Sequence, residues 1–340
     1  PYLSIRLPME ILLVNKVAAV KEVQQAAEYQ KKKQACILTG LAGSSKPVFF
    51  AAIDKLAGSK GSMAFITASR EEIRAYRREL NYLYPELPMQ ELYPVSLPRV
   101  QADTQSLELQ AGRTAALRFL SGEERGIVFI TAEALQQKQL RPSGMSGKAL
   151  QLAVGEEHEQ RNIAAALLDL GYERTEQVDA LGQFCLRGDI LDVYPINASA
   201  PIRIEWFDNE LDAMRSFDVD TQRSLQTLRS VKIAPLKVDE SFSYDADIFE
   251  YCAADTLVVV DEPVHVFSML EKLDKENKLH SAELFGKQEI IEQLAVNGVM
   301  LVSALGHSYL QQLPTLNIPV RAVAPYNKNT NLLVEDLQSW

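Results

Sequence analysis

The chain has 340 residues, with 35 Lys+Arg against 45 Asp+Glu, a net charge of −10 and a pI near 5.1. That length suggests two or three domains, and 47% apolar with 24% charged residues is the composition of a folded protein with a sizeable core. No apolar run approaches the ~20 residues that span a bilayer, no secretory leader pattern opens the chain, and phosphate backbone repels so acidic a body. No membrane partner and weak or no direct nucleic-acid binding are therefore expected. Cys36, Cys185 and Cys252 lie far apart without a C-x-x-C, which excludes a cysteine-built zinc site and fits a reducing cytoplasm. The histidines His158, His265, His280 and His307 have no metal-ligand spacing and are read as structural or surface residues, so no metal and no cofactor are expected.

In chain order, Glu22 to Lys33 predicts an amphipathic helix and Ala35 to Thr39 a buried strand. A glycine loop follows, then an apolar helix from Val48 to Leu56. Ser62 to Thr67 predicts a second strand, Arg70 to Leu83 a charged helix, Thr104 to Leu120 another helix, and Gly126 to Thr131 a third strand. Uninterrupted apolar strands alternating with helices indicate a parallel sheet. The texture changes at the Pro/Gly/Ser-rich segment 141–147. Beyond it a helix from Gly155 to Leu170 leads into short strands at 183–187, 190–194, 202–207 and 211–217, an antiparallel-rich α+β unit ending near Ser230. The last part returns to α/β texture. Thr256 to Val260 and Val299 to Val302 read as strands, with helices from Val264 to about Leu279 and from about Lys287 to Ala295. Domains are accordingly expected at 1–138, 139–230 and 231–340, the outer two completing one α/β body around the inserted middle one.

The loop Gly40-Leu41-Ala42-Gly43-Ser44-Ser45-Lys46-Pro47 sits between a strand and a helix, the position of a Walker A phosphate loop. Gly40 and Lys46 fit the G-x-x-x-x-G-K-[ST] template. Ser45 stands at its second glycine, and Pro47, which has neither hydroxyl nor N–H, stands at the Mg²⁺ ligand. Far downstream, Val258-Val259-Val260-Asp261-Glu262 reads as a strand ending in acids, like a Walker B element. Together the two motifs suggest a RecA-like, P-loop-NTPase-like fold that has lost its hydrolytic parts.

The densest signal lies in the middle. Gly171-Tyr172-Glu173-Arg174 precedes Phe184-Cys185-Leu186-Arg187-Gly188-Asp189-Ile190-Leu191-Asp192-Val193-Tyr194-Pro195, and Arg203-Ile204-Glu205-Trp206-Phe207-Asp208-Asn209-Glu210 and Phe217-Asp218-Val219-Asp220-Thr221-Gln222-Arg223-Ser224 follow. These stretches resemble, in order, those shared by the excision-repair protein UvrB and the N-terminal UvrB-homology module of the bacterial transcription-repair coupling factors (Mfd). The departures from Walker A point to the coupling factors. So does the short, mostly polar stretch between Tyr93-Pro94 and Arg113, which leaves no room for the aromatic hairpin with which UvrB clamps DNA.

The resemblance implies a protein-docking module that recruits the damage sensor UvrA in transcription-coupled nucleotide excision repair. It implies no enzyme activity for this piece, and an ATP-dependent DNA translocase beyond Trp340 that brings RNA polymerase and DNA to the full-length protein. The positions matching the UvrA contact are Arg174 and Arg187, flanked by Phe184 and Tyr194. Residues 139–230 carry eight arginines and one lysine against fifteen acids, a poor phosphate binder but a composition suited to bidentate pairing with carboxylates. With regular pairing Phe184 and Arg187 face opposite sides of their strand. Arg187 is also within reach of an ion pair with Asp189 or Asp192, and Tyr194 of core packing ahead of Pro195. A nucleotide-binding helicase-like module and a damaged-DNA binder related to UvrB are the alternative functions.

Overall fold

The computed structural model describes residues 7–41, 43–58, 60–97, 107–142, 149–236, 244–303, 313–318 and 320, with the backbone alone for residues 7–12. The N-terminal part runs α1 (Leu7–Ala18), α2 (Lys21–Lys31), β1 (Cys36–Thr39), α3 (Ser45–Ala57), β2 (Met63–Thr67), α4 (Arg70–Leu83), β3 (Met89–Leu92), α5 (Leu107–Leu120), β4 (Ile127–Thr131) and α6 (Ala132–Gln136). The short β5 (Gln139–Leu140) closes this part. A middle unit follows: β6 (Leu150–Ala153), a helix over Gln160–Asp169, β7 (Glu173–Arg174), β8 (Gln183–Arg187), β9 (Ile190–Val193), β10 (Ile202–Phe207), β11 (Glu210–Phe217), β12 (Ser224–Leu228) and β13 (Ser230–Ile233). The chain then returns through β14 (Tyr244–Ala246), β15 (Leu257–Asp261), a helix over Pro263–Glu276, a helix over Lys287–Val296, β16 (Met300–Ser303) and β17 (Thr315–Asn317).

The main sheet has seven parallel strands in the order β17-β1-β16-β15-β2-β4-β3. Every residue of β2, β4, β15 and β16 is buried, as a strand covered on both faces requires. Two apolar clusters fill the two faces. One gathers Ile66, Ile130, Val260 and Leu301 beneath the helices at Ala132–Gln136, Pro263–Glu276 and Lys287–Val296. The other gathers Phe49, Phe50, Phe65 and Phe129 with α2, α3 and α4. Helix α4 presents Ile73, Tyr76 and Leu80 to that core at i, i+3, i+7 spacing, and Phe65 stacks on Tyr76 with centroids 5.4 Å apart. This is the RecA-like α/β body, its sheet shared between the two ends of the chain.

The middle unit is a six-stranded sheet, β12-β11-β10-β9-β8-β7, antiparallel except for the β7–β8 pair. One face packs Phe184, Leu191, Val193, Ile202, Ile204 and Trp206 against the helix Gln160–Asp169, through Ile163 and Leu167. The other face is partly open: Arg187, Arg203, Glu205 and Arg215 keep solvent exposure there, while Cys185 and Asp192 are buried. β13 pairs with β6, so strand pairing of this unit continues past the expected end near Ser230.

Two expectations shift. The helix placed from Gly155 begins at Gln160. The Gly155 amide donates to Leu211 O, the His158 amide to Asn209 O and Trp206 Nε1 to His158 O, so residues 155–158 lie along the β10–β11 hairpin and the sheet outcompetes the helix there. Helix α1, α6 and the edge strand β17 were not anticipated from the sequence. Residues 143–147 of the boundary segment and His307 lie outside the described residues, as does half of the stretch between Pro94 and Arg113 where UvrB carries its hairpin.

Candidate protein-docking site

The β8–β9 hairpin turns on Gly188-Asp189, with Gly188 at φ 55°, the left-handed value that a two-residue turn between Arg187 and Ile190 asks for. The turn leaves Arg187 exposed at the end of β8, on the partly open face. Along β9 the same face carries Asp192, and along β10 Arg203; register places Cys185, Asp192, Arg203 and Arg215 in one cross-strand row. Asp192 is 1% exposed and accepts three hydrogen bonds: from Arg203 Nε at 2.7 Å and Nη2 at 2.8 Å, and from Arg187 Nη2 at 3.2 Å. Arg203 lies over the Phe217 ring at 4.7 Å, and its hydrogen bonds to Asp192 hold its pKa above the usual arginine value against the desolvation of its partly buried head. Arg215 donates from Nη2 alone to Glu205 Oε1. The result is a fixed lattice of guanidinium and carboxylate groups. At its rim Arg187, half exposed, spends one donor on Asp192 and keeps the others for solvent or a partner.

The four expected contact residues are thus sorted. Arg187 is on the open face and makes the ion pair with Asp192. Arg174 is exposed on the edge strand β7, but it registers with Phe184, the pleat parity opposite to that of Arg187. Tyr194 is half-buried and donates its hydroxyl to Ser199 O at 3.3 Å. Phe184 is corrected: at 0% exposure it is a core residue under the helix Gln160–Asp169, and a partner cannot touch it. Its burial is the consequence of the period-2 alternation that exposes Arg187. Asp192, Arg203, Glu205 and Arg215 were missed as a group. The sequence signal for them was the alternation along 190–193 and 202–207, which puts charges on one face of adjacent strands.

The second expected site also assembles. Lys46 lies in the first turn of α3, and its Nζ donates to Asp261 Oδ1 at 2.7 Å and Glu262 Oε1 at 2.9 Å. Lys46 and Asp261 are 8% and 7% exposed. Burial opposes the ammonium charge, but the hydrogen bonds and charge of Asp261, then those of Glu262, outweigh it and raise the lysine pKa. Burial likewise raises the Asp261 carboxyl, against the pull of Lys46. The Tyr76 hydroxyl is buried beside them, its pKa pushed up by burial and then by the Asp261 charge. Glu262 has φ 44°, a left-handed value for a non-glycine residue at the end of β15. Gly40, at φ 87°, brings the loop so close to β17 that a Cβ there would meet Ile318 O at 2.5 Å. Gly43 accepts from the Lys46 amide, and Ser45 and Pro47 lie within the first turn of α3. Lys46 therefore spends its charge on the chain's own carboxylates.

Among the described residues no cluster of three or more His, Cys, Asp or Glu is arranged to hold a metal ion, and no helix is long and apolar enough to cross a membrane.

Residues 150–238, the span that contains this lattice, match the family model of the UvrB interaction domain. The chain is 34% identical over 203 residues to the transcription-repair-coupling factor of Bacillus subtilis (strain 168), covering 59% of this chain and 17% of that protein. The match to the coupling factor of Staphylococcus aureus (strain MRSA252) is 32% over 201 residues, 58% of this chain and 17% of the relative. That to the Escherichia coli (strain K12) protein is 27% over 165 residues, 48% and 14%. The chain thus spans less than a fifth of the length of these relatives.

Proposed function

We propose that this chain is a protein-docking module that recruits UvrA in transcription-coupled nucleotide excision repair and does not itself hydrolyse ATP. The observation that carries the reading is Arg187: a half-exposed guanidinium, aimed by a buried carboxylate, at the rim of a partly open sheet face inside a UvrB interaction domain. Pre-aimed arginines give an interface specificity for carboxylates at little ordering cost. Arg174, exposed on the neighbouring edge strand, extends the contact around the sheet edge. The absence of hydrolysis is supported by Pro47 and Ser45 at the Mg²⁺-ligand and glycine positions, and by the buried Lys46–Asp261–Glu262 cluster that a nucleotide phosphate would have to break. In the full-length protein the docking module would work beside a DNA translocase that engages RNA polymerase. Three unpaired cysteines fit a cytoplasmic setting.

The test is a pull-down of purified UvrA by the full chain, with melting curves taken in parallel. Arg187→Ala is expected to lose UvrA while its melting temperature stays within about 2 °C of wild type, since Asp192 keeps both hydrogen bonds from Arg203 and a half-exposed guanidinium contributes ~1 kcal/mol or less. Undiminished capture by both Arg187→Ala and Arg174→Glu would refute the docking site. ATP with Mg²⁺ is expected to leave the melting temperature unchanged, and turnover abolished by Lys46→Ala would refute the non-enzymatic reading.

A further inference from the structure

The partly open face of the six-stranded sheet carries one presented aromatic. Along β10, Arg203, Glu205 and Phe207 alternate with the buried Ile202, Ile204 and Trp206, so Phe207 points to the same side as Arg203. It is 73% exposed. Folding leaves the ring in water, although the neighbouring Trp206 is taken into the core.

Its place is fixed from two directions. Phe207 registers with Glu210 across the Asp208-Asn209 turn, where Asp208 adopts φ 55°. The Trp206 amide donates to Asp189 O at 2.9 Å, which lays the end of β10 against the turn that follows Arg187. Arg187 registers with Ile190, and Ile190 with Glu205. Phe207 therefore stands two residues beyond the Arg187–Ile190–Glu205 row, ~7 Å along the strand at ~3.3 Å per residue. Arg187 lies two strands across on β8, at ~4.8 Å per strand, so the exposed ring and the pre-aimed arginine share one face about 12 Å apart, within the span of one interface; aromatics and arginines are the residue types that dominate interface energetics.

We infer that Phe207 is the apolar anchor of the UvrA contact. Its ring enters a pocket on UvrA while Arg187 meets a carboxylate at the pocket rim, and the ring shields that ion pair from water. The inference rests on the docking function proposed above. It adds that recognition is centred on the open face by the β8–β9 and β10–β11 turns.

The experiment measures the affinity of purified UvrA for the full chain and two variants. Phe207→Ala is expected to weaken binding at least tenfold with an unchanged melting curve, because the side chain has little packing to lose. Phe207→Trp is expected to retain binding, and its emission, compared with the wild-type background from Trp206 and Trp340, to shift to the blue when UvrA is added. Binding of Phe207→Ala at wild-type strength, or UvrA binding by Phe207→Trp without a blue shift, overturns the anchor while leaving the docking function intact. Loss of self-association of the chain in Phe207→Ala, with UvrA affinity unchanged, overturns it in favour of a second copy as occupant. Failure of the wild-type chain to bind UvrA overturns the docking function and the anchor with it.

Discussion

Asp192 does the most at the scale of single residues. It is buried at 1% exposure and receives both prongs of Arg203 and one donor of Arg187, so it holds the lattice from below. Removing one partner of a buried ion pair leaves the other charge uncompensated, which costs ~3–5 kcal/mol. Asp192→Ala is therefore expected to lower the urea midpoint strongly and to weaken UvrA binding by releasing Arg187, whereas Arg187→Ala affects binding alone. Lys46 obeys the same logic in the other site, where Lys46→Met leaves Asp261 and Glu262 facing each other without a cation and should cost ~3 kcal/mol. The pH dependence follows from the raised lysine pKa. A cation held more tightly in the folded state stabilises fully below its unfolded value, 10.5, and that stability is lost as pH rises through the higher folded value. The difference in melting temperature between wild type and Lys46→Met is thus expected to be constant from about pH 9 to 10.5 and to shrink above it; a difference that grows with alkalinity would contradict the assignment.

Elements were legible in the sequence where one signal dominated. The runs 63–66, 127–130 and 257–260 are apolar without interruption and became central parallel strands, and the 3.6-residue rhythm of 70–83 became α4 with the expected ends. The segment 155–159 misled because helix-like composition lost to pairing with a hairpin more than fifty residues away, a partner that no local pattern discloses. Strand β17 has three residues and gains its place only through register with β1. The candidate site divided along the same line. The Arg-Gly-Asp segment announced Arg187 and its turn, and period-2 alternation separated Phe184 from it. The cross-strand row of Asp192, Arg203 and Arg215 depends on registers that only the folded sheet provides. At this scale the phosphate-like loop is a tight seam against β17. Gly40→Ala would force a Cβ to within 2.5 Å of Ile318 O at a positive φ, and is expected to destabilise the chain by more than ~1 kcal/mol, measured by thermal melting.

For the molecule as a whole, the net charge of −10 and the guanidinium–carboxylate lattice argue for binding protein over nucleic acid. Duplex DNA is expected to show no salt-dependent binding to the chain near 0.15 M salt, measured by anisotropy; a steep salt dependence would restore the UvrB-like alternative. The thiols are guarded as well. Burial pushes Cys36 and Cys252 up to about 12, and Cys185 is buried with its thiol donating to Glu176 O at 2.9 Å. A thiol reagent at pH 8 should label native protein far more slowly than protein in urea.

The shared sheet has one more consequence, for the ribosome. β1 lies between β16 and β17, and β2 lies beside β15, so the first strands made have as neighbours strands from the last third of the chain. The six-stranded unit, by contrast, is contiguous from 150 to 236 and can close on itself while the rest is still being translated. Nascent chains arrested after residue 270 should accordingly yield a protease-resistant middle fragment, with the N-terminal third still digestible until β16 and β17 have emerged. Birth order and assembly order would thus be inverted, with the six-stranded unit the first to mature.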